Sequence, residues 1–109
     1  MEKKIVEDVQ GHGMPLYEMK KLFSASGNYS TMSFSYIEIQ PGQRVPEEGY
    51  SVHKQDEYSY FINGQLVSHN AGIDSIVGEG DATLIPRGEK HWCKNEGTEP
   101  VMIICAMIG

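Results

Sequence analysis

Between Thr31 and Gln40 polar and apolar residues alternate: Met32, Phe34 and Tyr36 against Thr31, Ser33 and Ser35, after which Ile37 and Ile39 take over the other parity. A period of two predicts a strand over 29–40, closed by Pro41-Gly42. The change of parity near Tyr36 implies a bulge, or a strand covered on both faces. Further short stretches follow between turn signals, over 51–53, 58–62, 65–70, 74–77, 82–85, 90–94 and 101–108. Asn63-Gly64 reads as a two-residue hairpin turn. The last stretch is apolar on both parities, so it needs cover on both sides: a barrel interior on one, and the N-terminal segment or a second subunit on the other. Residues 1–28 are the least patterned, an N-terminal extension or edge strand in which Gly11-His12-Gly13 and Met14-Pro15 interrupt any helix and 16–23 is a short strand. Many short strands without a useful helical period predict an all-β barrel or sandwich.

The chain has 109 residues and shows no repeat, linker or low-complexity tract, so one domain over 1–109 is expected. Its net charge is −6, with nine Lys and Arg scattered along the chain, a field that repels nucleic acid. The longest apolar run, Val101 to Ile108, cannot cross a bilayer as a helix, and no apolar signal region follows the first lysines. The expectation is a cytoplasmic protein without a membrane partner, with Cys93 and Cys105 reduced and mostly buried.

Two spaced sets carry chemistry: His53, Glu57 and Gly64, then Gly80, Pro86, Gly88, His91 and Asn95. Two imidazoles and a carboxylate delivered by separate segments suit a mononuclear metal site. A straight strand would hold His53 and Glu57 roughly 13 Å apart, too far to share an ion. The chain must therefore turn within Lys54-Gln55-Asp56, where Asp56 can bond to local backbone. Pro86-Arg87-Gly88 turns the chain to aim His91, and the Asn95 amide can tie down a neighbouring loop. Among the other residues, His12 and His69 read as surface histidines, with His69 entering the site if its strand faces inward. Cys93 shares parity with His91 and either faces the cavity or packs as a small hydrophobe. Tyr58 and Tyr60, opposite in parity to Glu57, should point away. Arg87 is either a solvated turn residue or a clasp for a substrate carboxylate.

Gly80, Pro86, Gly88, His91 and Asn95 fit every fixed position of the second cupin motif, and His53, Glu57 and Gly64 fit the second half of the first. The chain thus resembles the cupins over 41–95, the motif-bearing core. The resemblance implies a single cupin-type double-stranded β-helix, a jelly-roll-like barrel. It also marks two departures: the family's first histidine falls on Ser51, and its opening glycine falls on Val45. His53, Glu57 and His91 remain as metal ligands, an arrangement similar to the facial triad of non-haem iron enzymes, with Ser51, Arg87 and Cys93 as substrate-binding residues. What this implies is one divalent ion per chain (Fe, Mn, Zn, Ni or Co), a small-molecule substrate and a homodimer. The activity expected is that of a metal oxygenase, or else an isomerase or lyase. Against these stand a non-catalytic binding or sensing module, and a structural dimer whose site is a relic of the fold.

Overall fold

A computed structural model describes residues 5–13, 17–25 and 30–109. Among these residues ten strands follow in order: β1 (His12–Gly13), β2 (Glu18–Ala25), β3 (Met32–Ile39), β4 (Arg44–Val45), β5 (Asp56–Asn63), β6 (Gln65–Asn70), β7 (Ile73–Gly78), β8 (Ala82–Ile85), β9 (His91–Lys94) and β10 (Val101–Ile108). Among the described residues the only helical element is a single 3₁₀ turn, Val6–Asp8, and no helix is long and apolar enough to cross a membrane. The expected breaks and strand positions at Met14, Pro15, Leu16 and Tyr29 lie outside the described residues.

The strands form a six-stranded sheet, β1-β2-β3-β10-β5-β8, and a four-stranded sheet, β4-β9-β6-β7. Every pairing is antiparallel, as expected of an all-β jelly-roll. One end of the sandwich is packed solid by Ile39, Phe61, Leu66, Val101 and Ile103, drawn from both sheets. The other end stays open as a cavity. Strand β10 lies in the middle of the larger sheet, which explains its two apolar parities. Val101, Ile103 and Cys105 are buried in the interior, while Ile104 and Ala106 share the outer face with Tyr58, Tyr60 and Leu84.

Strand β3 runs against β10 without a register shift from Met32 to Ile39, so the parity change near Tyr36 marks no bulge. Its inward residues are Ser33, Ser35, Ile37 and Ile39 throughout, serines toward the cavity and isoleucines toward the packed end. On the outer face Phe34 stacks on Phe23 at 6.1 Å and the Tyr36 hydroxyl donates to Glu38. A register shift occurs instead in β2, between Lys21 and Phe23.

Asn63-Gly64 forms no hairpin, because β5 and β6 belong to different sheets and do not pair. Gly64, at φ +82°, carries the chain from one sheet to the other past the start of β10. A Cβ there would lie 2.7 Å from the Pro100 carbonyl oxygen, so the close approach itself requires glycine. The two-residue hairpin is Ala71-Gly72, with φ of 49° and 84°, which joins β6 to β7 between the paired Asn70 and Ile73.

Candidate metal centre

The turn predicted between His53 and Glu57 is present: Ser51 forms a lone bridge with His91, the chain bends at Lys54-Gln55, and Glu57 is the second residue of β5. Asp56 does not bond to local backbone. Its carboxylate accepts from the Arg87 main-chain N–H at 2.9 Å and faces the Arg87 guanidinium at 3.3 Å, contacts that hold the carboxyl below its usual range. On the other side of the site, Pro86 accepts from Glu89 N–H, and Gly88 at φ +82° occupies the third position of a type II turn.

Three main-chain hydrogen bonds stitch the two histidine segments together. Gly88 N–H donates to His53 O at 2.9 Å, while Ser51 and His91 exchange bonds of 2.8 and 3.0 Å. The imidazole centroids consequently lie 5.1 Å apart, and His53 Nε2 is 3.9 Å from a Glu57 carboxylate oxygen. One ligand atom from each of His53, Glu57 and His91 falls within 4.8 Å of the others. Ligands sharing an ion at about 2.1 Å stand within roughly 4 Å of one another, so small side-chain rotations suffice to close the set. The Glu89 carbonyl accepts from His91 Nδ1 at 3.0 Å, which fixes the ring tautomer and leaves Nε2 as the donor atom. The chemistry of this set, two imidazoles and one carboxylate, fits a divalent transition ion.

The site opens into a cavity of about 640 Å³ between the sheets. Ser51 and Cys93 line it with His53, Glu57 and His91. Burial, with the Glu57 carboxylate nearby, pushes the Cys93 thiol up to about 12, and Cys105 likewise, so both stay protonated at neutral pH. Arg87 stands apart. Its side chain is 57% exposed and turned to Asp56, which agrees with the solvated turn residue of the two readings. His69 faces outward, stacked on Trp92 at 5.1 Å and hydrogen-bonded to Asp74, with the Arg44 guanidinium on Trp92 at 4.3 Å. His12 is exposed on β1. Tyr58 and Tyr60 point to the outer face.

Sequence reasoning passed over several cavity residues, among them Asn70, which pairs with His91, and the serines of β3, β5 and β6. A signal was available. Counting in twos from Glu57 reaches Ser59 and Phe61, and the same count on β3 reaches Ser33 and Ser35.

The family model described as a cupin domain matches residues 35–107. The chain belongs to the cupin family. This cupin is 29% identical over 86 residues to the tetracenomycin polyketide synthase protein TcmJ of Streptomyces glaucescens; the match covers 78% of the chain and 56% of that protein, so the chain spans little more than half the relative's length. Among solved structures it resembles the polyketide cyclase RemF of Streptomyces resistomycificus, with a TM-score of 0.81 and 19% identity over 99% of this chain and 79% of that one. It is also similar to a predicted oxalate decarboxylase of Thermotoga maritima, with a TM-score of 0.78 and 20% identity over 95% and 96% of the two chains. At these identities the structural likenesses concern the fold.

Proposed function

We propose that this cupin is a metal-dependent enzyme that acts on a small, oxygen-bearing organic substrate of polyketide type held between the two sheets. The observation that carries the reading is the convergence of His53, Glu57 and His91 within 4.8 Å at the mouth of a largely apolar cavity. His53, Glu57 and His91 would hold a divalent ion, which when bound would supply Lewis-acid polarisation of a substrate oxygen, a chemistry that assists ring closure of a carbonyl chain. The protein's own residues provide the rest. Glu89 orients His91, the stitched segments hold the imidazoles in place, and Ile37, Ile39, Phe61, Leu66 and Ile103 keep water from the inner part of the substrate. Ser51, neutral where a fourth ligand would stand, leaves room for substrate beside the ion. The names of the two Streptomyces proteins support the substrate class. A second reading, oxygen insertion, is favoured by the donor set itself, because two histidines and one carboxylate leave several positions open.

The test is turnover by protein loaded in turn with Fe(II), Mn(II), Zn(II), Ni(II) and Co(II), offered a panel of phenols and poly-β-carbonyl compounds while dissolved oxygen is followed. Metal-dependent product without oxygen uptake supports ring closure or isomerisation, and uptake matched to product supports the oxygenase. Thermal shifts with ligands but no product across the panel would replace the enzyme by a binding module.

The same proposal includes a homodimer. Tyr58, Tyr60, Ile62 and Leu84 are 42–53% exposed and flank the outward residues of β10 on the larger sheet. Among the described residues no charged side chain lies between these positions, Glu38 and Asp56 standing at the borders of the face, so the centre of the patch suits a second copy related by a twofold axis. Tyr60→Glu places one carboxylate from each copy in such an interface. Sedimentation velocity is expected to show a dimer for the wild type and a monomer for the variant; a monomeric wild type would refute the dimer.

A further inference from the structure

The inward residues fall into three levels, because the strand registers lock them side by side. At the first level Glu57 lies opposite Met107, and Met107 opposite Ser33, with Asn70 opposite His91 on the facing sheet. Two residues along each strand, about 7 Å further in, Thr83, Ser59, Cys105 and Ser35 form a continuous row, faced by Ser68 opposite Cys93. One more step reaches Phe61, Ile103, Ile37 and Leu66, the apolar floor. The cavity is therefore layered into metal ligands, hydroxyls and thiols, and hydrocarbon.

Ser35 distinguishes the middle level from mere small-residue packing. It is only 6% exposed and lines the cavity, yet among the described residues its hydroxyl has no side-chain hydrogen-bond partner. Ser59 is bonded to the Cys105 thiol, and Ser68 donates to Asn70 at 2.6 Å. Among the described residues no fully enclosed side-chain oxygen or nitrogen lacks a partner, so the Ser35 hydroxyl opens onto the cavity. A hydroxyl that faces the cavity and is not engaged by the chain is free to bond to a ligand oxygen. The charged neighbour in the row, Lys21 on β2, also lines the cavity, but it is exposed, so its charge is screened by water.

We infer that Ser35 is a specificity-determining residue that reads a second, neutral oxygen of the substrate, a hydroxyl or carbonyl lying one level deeper than the metal-bound oxygen. This rests on the metal reading given under Proposed function. The substrate class is thereby narrowed to compounds that carry a second oxygen about 7 Å from the metal-bound one, roughly the length of two fused rings, with no charge at the inner end.

Three probes test it on Co(II)-loaded protein: a naphthalene diol with both hydroxyls adjacent on one ring, its analogue with a third hydroxyl on the far ring, and the analogue with a carboxylate there. Affinity is read by calorimetry and metal engagement by the cobalt visible spectrum. The triol is expected to bind about tenfold tighter than the diol. In Ser35→Ala that preference disappears, and in Ser35→Thr, which keeps the hydroxyl, it returns. Equal affinity of diol and triol for the wild type, or a preference that survives in Ser35→Ala, overturns the role of Ser35. Tighter binding of the carboxylate than of the triol overturns the neutral-oxygen reading. Failure of the metal reading has a different signature: an unchanged cobalt spectrum with all three probes, and the same affinities in Glu57→Gln.

Discussion

His91→Ala is expected to reduce metal content from one equivalent per chain to a trace after dialysis, measured by plasma mass spectrometry. His69→Ala is expected to leave it unchanged. Two remaining donors make a weak site, and losing a direct ligand should cost at least the 10–100-fold that loss of a ligand's hydrogen-bonded partner costs. His91 is also the ligand most constrained by its surroundings. Its main chain exchanges two hydrogen bonds with Ser51, and its ring is oriented by the Glu89 carbonyl. Truncation therefore removes a preset donor and not one that the chain must order at a cost in entropy. The His69 control separates a site effect from loss of any histidine, because His69 stacks on Trp92 outside the cavity. Equal metal content in His91→Ala and wild type would remove the site assignment and the function proposed on it.

The convergence of His53, Glu57 and His91 was legible because spacing in a strand-and-turn chain carries direction. Gly80, Pro86 and Gly88 fix where the chain reverses, and parity then fixes which face His91 takes. The reversal between His53 and Glu57 followed from reach alone, since one ion cannot bridge a straight strand. Where the sequence misled, the cause lay in partners distant along the chain. Asn63-Gly64 has the composition of a hairpin turn, but its glycine is demanded by contact with Pro100 and Val101. Ala71 adopts a positive φ that its side chain does not announce. Arg87 faces Asp56, 31 residues earlier, a contact that turn chemistry does not encode. Strand β3 is the most instructive case. Its inward serines look like solvent positions, because alternation identifies an inner face only when the interior is apolar. A layered cavity reverses that signal for its upper half.

Asn95 separates what the fold needs from what the metal needs, although both belong to one spaced set in the sequence. It is fully buried, and all its side-chain capacity toward the chain is used: Nδ2 donates to Ile39 O at 3.0 Å and to Glu99 O at 2.8 Å, while Oδ1 accepts from Gly97 N–H at 3.0 Å. These bonds tie the end of β3 and the connection from β9 to β10 onto the packed end of the barrel. Asn95→Ala leaves two carbonyls and one N–H without partners, each costing about 1–3 kcal/mol where water cannot replace the amide. A loss of about 3 kcal/mol or more is expected in urea unfolding, a large share of the stability of a chain this size. Asn95→Asp should be no better, since a carboxylate at that point sets oxygen against the Ile39 and Glu99 carbonyls and buries a charge. Metal affinity of the folded Asn95→Ala protein should stay within a few-fold of wild type, because the main-chain bonds between the Ser51, His53 and His91 segments do not pass through Asn95. A variant that unfolds within about 1 kcal/mol of wild type would mean that solvent reaches the three orphaned groups, and the asparagine would then have to be read as a residue of the site.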